Sequence, residues 1–575
     1  MSRKIVIIIA TVFFIIVGGY LYLRFGYLKT KDYKPDTSKE KNLIDLCPSI
    51  IAKLQQLVKD GSNGLYNLSA EKLDPHLLSS KLDISNASLN IDTAAMHHLD
   101  SLQLLPDDIF TFHFSTVHID GIGIDDLLNK NRIEITGINI TDPVINVFHA
   151  KRPYNADDRK NRDTLSLYQK LKGQMNKIAI GKINIENGTF VNHDLTKKNK
   201  ITKFKDVSVL VNDLLIDSTT EHDRSRFLFA KHATLSTKNY SIPTADNMYF
   251  FSAGNISISA DQHSVTAMNV ELKPRYNRQE FENKLAFKKD MYHFAFKKVV
   301  LEDVDWLGMI NNEKLISKRA EISGGSFSDF IDRAKPSTPV KLNNFPSQIL
   351  MRMPFKIAVN KLDVHGMDIT YEEHNPLSDQ NGMVYFDNVT GTVNHISNMP
   401  TEIKQHPISD FSATALFMHQ VPMTAKFGFD LSKSNTGKFS VDITMNTLDN
   451  ATINKVSEPL GLFTVKTGEM QHALGHMDGD NVRANGNITM QYNNLHITPL
   501  KKDKEEKGKL KKKSVTSLFA NILFVKNENP KDNELRKPDF TFERTPYNSF
   551  FNLIWKTILT GILKTIGVPV KLVIK

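Results

Sequence analysis

Along much of this chain, apolar residues recur two apart, then three, then two. In KIAIGKINIENGTF, which starts at Lys177, Ile178 and Ile180 are followed by Ile183 and Ile185. In KIAVNKLDVHGMDI, which starts at Lys356, Ile357 and Val359 are followed by Leu362 and Val364. Period two predicts strands, because alternate side chains share one face of a sheet. The step of three reverses that parity unless one extra residue is absorbed. A β-bulge absorbs it and keeps both pairs on one face, and a tight corner is the alternative. The spacing returns at Leu82/Ile84/Ala87/Leu89, Phe112/Phe114/Val117/Ile119, Ile133/Ile135/Ile138/Ile140 and Phe251/Ala253/Ile256/Ile258. About six strict copies stand against roughly two expected by chance at this apolar content.

A longer regularity lies over the first. Phe112, Phe114, Val117 and Ile119 map onto Phe294, Phe296, Val299 and Leu301 at an offset of 294 − 112 = 182. At the same offset FKDVSVLVNDL, starting at Phe204, aligns without a gap on FDNVTGTVNHI, starting at Phe386. The two KIA segments lie 356 − 177 = 179 apart, so a three-residue gap separates the blocks. The pattern predicts two tandem β units, residues 110–291 and 292–500. Repetition of one supersecondary unit predicts an elongated stack rather than a globular active-site fold.

The flanks differ from this body. Ile5 to Leu23 is an uncharged run close to the length that crosses a bilayer, preceded by Arg3 and Lys4, with no small-x-small cleavage site after it. It predicts a transmembrane signal-anchor over residues 1–26. Residues 27–109 are expected to hold a helix, striped at Leu43, Leu46, Ile50, Leu54 and Leu57, and then the first strands from near Lys81. A second helical block spans Asp163 to Met175. Residues 501–575 are expected to form a basic linker, opening with KKDKEEKGKLKKK, and a C-terminal amphipathic helix from Ser549 to Ile566. That helix has a polar stripe at Asn552, Lys556, Thr560 and Lys564.

Composition narrows the function. The net charge is +10, but residues 501–575 hold 17 basic and 8 acidic side chains, so +9 belongs to this tail. A nucleic-acid-binding body is therefore not expected. One cysteine, Cys47, excludes an internal disulfide framework and a cysteine-built zinc site. No P-loop, GxSxG, HExxH or GxGxxG motif is present. His97 and His98 lack partners at ligand spacing, and Glu372 and Glu373 are adjacent strand residues that face opposite ways. Neither an enzyme, a metal nor a cofactor is expected.

The signal-anchor, the strand-rich body with its KI-x-I-x-x-KI-x-I phrases, the GNITMQYNNLHI segment and the terminal SFFNLIWKTILTGILKTIG helix together resemble the AsmA-like family, within the AsmA/TamB superfamily, in its Bacteroidetes-type form. The resemblance covers the chain from the anchor to the last helix, on degenerate apolar patterns. It implies a mainly β fold: an elongated, repetitive antiparallel sheet forming an open groove or taco-like body. It implies a single-pass inner-membrane protein with the body in the periplasm. Its groove would shield acyl chains of phospholipid or another lipid in transit between inner and outer membrane, with an outer-membrane or periplasmic partner at the C-terminal end. Candidate lining residues are Phe112, Phe114, Val117, Ile119, Ile178, Ile180, Ile183 and Ile185 in the first unit. In the second they are Phe294, Phe296, Val299, Leu301, Ile357, Val359, Leu362 and Val364. The alternative reading is an envelope scaffold or assembly factor with a closed sandwich core. It keeps the anchor and the strands.

Overall fold

The computed structural model describes residues 62–570, apart from 77–79, 122–131, 156–176, 198–199, 310–313, 338–343, 513–524, 546–547 and isolated single positions, together with 55, 58 and 59. The apolar run of residues 5–23, the stripe at residues 43–57 and the helical block 163–175 lie outside the described residues. Among the described residues, no helix is long and apolar enough to cross a membrane.

Strands dominate, and the chain divides into two compact units. Unit 1 comprises residues Met1–Tyr240, Ala253–Thr266 and Met309–Glu313. It holds β1 (Tyr66–Ser69), β2 (Lys72–His76), β3 (Lys81–Ile91), helix α1 (Thr93–Ser101), β4 (Asp108–Asp120), β5 (Arg132–Thr141), β6 (Val144–His149), β7 (Lys177–Asp194), β8 (Lys200–Ile216) and most of β9 (Ala230–Pro243). The strands thus begin at Tyr66, ahead of the position near Lys81 that the pattern suggested. β10 (Tyr249–Ser259) and β11 (Ser264–Pro274) contribute residues to both units.

Unit 2 takes the remainder. It holds α2 (Arg278–Asn283), β12 (Met291–Glu302), β13 (Lys314–Asp332), α3 (Pro346–Met351), β14 (Lys356–Asn375) and β15 (Gln380–Ser397). After α4 (Pro400–Gln405) come β16 (Ile408–Phe417), β17 (Val421–Asp430), β18 (Phe439–Met445), α5 (Asn450–Val456), β19 (Phe463–Gly479), β20 (Arg483–Lys502), β21 (Leu510–Lys512), β22 (Asp539–Glu543) and α6 (Phe550–Ile566). The basic segment after Leu500 folds back as a short hairpin of β20 with β21.

The sheet is mixed, which corrects the antiparallel expectation. β7 runs parallel to β5 and β6, and β14 runs parallel to β13. The reason lies in the connections. Parallel neighbours need a crossover of a dozen or more residues, and residues 150–176 and 333–355 supply it. The other strand pairs whose register is defined among the described residues are antiparallel, including β7 with β8 and β14 with β15.

The step of three in the apolar pattern has a local cause. Ile178, Ile180, Ile183 and Ile185 pair with Ile216, Leu214, Val211 and Val209, so both strands pass over one residue at the same place, Gly181 and Asp213. Asp213 takes a φ of 52°. A second break follows at Asn187, φ 56°, opposite Asp206, φ 50°. β14 and β15 repeat both breaks: the first at Asn360 and His395, φ 56°, the second at Gly366, φ 64°, opposite Asn388, φ 51°. Asn, Asp and Gly tolerate this left-handed backbone, and the absorbed residue keeps flanking apolar pairs on one face.

Candidate functional site

In unit 2 the register lines up side chains of one face across successive strands. Leu301 pairs with Ala320, Ala320 with Leu362, Leu362 with Val393, and Val393 with Phe411. The row continues through Phe427 and Val441 to Met477. A second row runs from Val299 through Ile322, Val364, Gly391, Ala413 and Ala425 to Ile443. A third joins Phe294, Phe327, Ile369, Phe386 and Phe417. From β15 to β17 the middle row is therefore small (Gly391, Ala413, Ala425), with Val393, Phe411 and Phe427 on one side and, on β16, Ala415 and then Phe417 on the other. The result is an apolar lane crossing the strands.

The lane meets two environments. Over β18 to β20 it lies beneath α6: Val441 and Met477 are buried with Phe550, Leu553 and Ile554, and Ile488 with Leu559 and Leu563. Over β12 to β16 its residues are half-buried except Ala320, which is buried, and of these row residues Phe417 packs against the cluster that contains Leu559 and Leu563 of α6. Strands lie about 4.8 Å apart, so the stretch from β12 to β17 is roughly 24 Å long.

The sequence-derived lining residues divide accordingly. Phe294, Phe296, Val299, Leu301, Ile357, Leu362 and Val364 are half-buried on unit 2, and Val359 is buried. On unit 1, Ile178, Ile180, Ile183, Ile185 and Val117 sit in one closed core with Val209, Val211 and Leu214. Phe112 belongs to a second core with Ile145 and Phe190, while Phe114 and Ile119 pack at the margins of these clusters. A small apolar cleft opens at the bulge between Ile185, Gly188, Phe190 and Val207.

One end of the unit 2 face turns polar. Tyr292 pairs with Asp329, and Asp329 with Tyr371, continuing the face two residues beyond Phe294, Phe327 and Ile369. The Tyr292 hydroxyl donates to Asp290 Oδ2 at 3.0 Å, and the Tyr371 hydroxyl donates to Glu373 Oε2 at 2.7 Å. Arg333 Nη1 donates to Glu373 Oε1 at 2.8 Å. Asp329 is 3% exposed, and its Oδ1 has no hydrogen-bond partner among the described residues. Burial, reinforced by the charge of Asp290, pushes its carboxyl from 3.8 up to about 8. Burial also pushes the Tyr249 hydroxyl up to about 12 and raises those of Tyr292 and Tyr371. The turn at residues 457–461 closes over this end: Asn375 donates to the Pro459 carbonyl, and Leu460 lies against Gly382.

Helix α6 also departs from expectation. Twelve of its 17 residues are buried, including Asn552, Lys556 and Thr560 of the stripe assigned to its polar face. Lys556 points into the protein, where burial, then the nearby Arg333, lowers its pKa, with Glu373 opposing. Thr557, Thr560 and Thr565 satisfy their hydroxyls on helix carbonyls four residues back. Ser549 caps the start of the helix and Gly567, φ 80°, ends it. Arg544, 5% exposed, fixes the entry by donating to the carbonyls of Asn481 and Asn548.

Asp329 was not among the residues expected from the apolar pattern. Its signal is present in FSDFID, where strict alternation places Asp329 on the same face as Phe327 and Ile331. Glu372 and Glu373 do diverge: Glu372 takes a bidentate pair from Arg278, and Glu373 takes Arg333. No group of three metal-binding side chains occurs among the described residues. No family model matches the sequence, and no curated protein matches it.

Proposed function

We propose that the apolar lane of unit 2 holds lipid acyl chains, and that the protein is a non-enzymatic, membrane-anchored carrier or conduit of phospholipid. The observation that carries this reading is the lane itself, half-buried over β12 to β16 at every row position but Ala320 and floored by Gly391, Ala413 and Ala425. A soluble face of this kind needs a cover, and a lipid tail is one. A tail fills about half of a bilayer core of roughly 30 Å, so the lane is long enough. The AsmA-like resemblance supplies the setting: an inner-membrane anchor at residues 5–23, a periplasmic body, a groove, and transfer toward the outer membrane with a partner at the C-terminal end. The tightly packed cores of unit 1 favour a scaffold role for that unit.

The test compares three variants lacking residues 1–26, purified without detergent and assayed for bound phospholipid and thermal stability. Val364→Asp places a charge in the lane, and Ala413→Phe fills its floor. Both are expected to fold and to lose lipid by roughly tenfold, Val364→Asp because a tail cannot offset the cost of desolvating a carboxylate and Ala413→Phe because its ring takes the space of the tail. Ile180→Asp falls in the closed core of unit 1 and is expected to cost about 3–5 kcal/mol of stability. Folded lane variants with unchanged lipid would sink the assignment.

A further inference from the structure

We propose that the end of the unit 2 sheet carrying α3 and α4 is a docking surface for a bilayer rich in anionic lipid. This end is defined by the register: β14 starts there at Lys356, β15 finishes there at Ser397, and α4 follows. α3 is held from its inner side. Phe345 is fully buried against Phe439 and Phe550, Ser347 and Gln348 are buried, and Gln348 donates to the Asn435 carbonyl. Asn398 ties the helix exit to the sheet, donating to the carbonyls of Leu350 and Phe355 and accepting from the Ile357 amide.

Held in this way, the segment presents Ile349, Met353 and Phe355 outward, 48%, 38% and 40% exposed. These are large apolar side chains with no role in the core clusters. The cations around them are Arg352 and Lys356 on the same segment and Lys404 at the end of α4, all exposed. The turn at residues 431–438 packs on α3 and adds exposed Lys433 and Lys438. The carboxylates at this end are fewer: Glu402 is half-buried, Asp430 caps its own turn through the Lys433 amide and pairs with the Lys433 ammonium at 3.7 Å, and half-buried Asp480 lies on the adjoining turn, whose Asn481 amide donates to the Thr436 carbonyl. A few apolar tips set in a surplus of lysine and arginine are suited to insertion among anionic headgroups. A protein interface would deplete lysine at such a place. The site is independent of the apolar lane.

The test uses the full chain held in amphipol, with Cys47→Ser and Met353→Cys, labelled with a dye whose emission reports polarity. Vesicles of phosphatidylcholine with phosphatidylglycerol should shift the emission to the blue, and pure phosphatidylcholine should not. Adding Arg352→Gln and Lys356→Gln should raise the lipid concentration for half-response by roughly 20-fold, and salt should do likewise. A dye at Leu377→Cys is the control, because Leu377 is 58% exposed in the turn joining β14 to β15, at the opposite end of those strands. It should stay silent. No response at position 353, an equal response to both vesicles, or an equal response at position 377 would each overturn the proposal. All the substituted positions within the described residues are exposed, so folding does not confound the outcome.

Discussion

Asp329 shows how a single residue acquires a property from its surroundings. In an unfolded chain its carboxyl would titrate near 3.8, but burial beside Asp290 raises it to about 8. The folded state therefore binds this proton more tightly than the unfolded state. Its penalty is absent below about pH 4, grows as pH rises from 4 to 8, and is complete above that. Asp329→Asn removes the ionisation, so the variant should lose the fall in stability between pH 5 and pH 8. The expected gain over the parent at pH 8 is about 1–3 kcal/mol. Urea unfolding at the two pH values measures it, and parallel pH dependences in parent and variant would contradict the assignment.

Helix α6 shows the same effect at the scale of an element. Seen alone, its stripe of Asn552, Lys556, Thr560 and Lys564 reads as a solvent face. In the protein most of the stripe is covered, because the helix lies over the lane and its far side meets other parts of unit 2. Lys556 is the costly member. Its pKa is lowered, so below the folded value the ammonium destabilises the fold fully, and the penalty fades as pH rises toward 10.5. Lys556→Met should therefore stabilise the protein at pH 7 by about 1–2 kcal/mol. The gain should shrink as the pH approaches 10. Thermal unfolding across that range checks both statements, and a destabilised variant at pH 7 would mean that Lys556 holds a needed interaction.

For the whole molecule, deleting residues 1–26 should move the protein from washed membranes to the soluble fraction, because that segment contains the uncharged run from Ile5 to Leu23. Recovery only in membranes would shift the anchoring role to another segment. Strand-rich character, the apolar faces and the alignment of residues 112–119 with 294–301 could all be read from spacing, since period two and its breaks are local properties of the chain. The pairs of left-handed residues, Asn187 with Asp206 and Gly366 with Asn388, show why the step of three recurs: Asn, Asp and Gly mark where the backbone absorbs a residue. Parallel pairing was not legible, because it depends on where a long connection returns. Nor could spacing separate Ile180, sealed in a core, from Val364, half-buried on the lane, since both belong to the same apolar phrase. The sequence by itself determined which residues share a face. Only the tertiary structure decided which faces are covered, because burial depends on what packs opposite, and those neighbours come from distant parts of the chain.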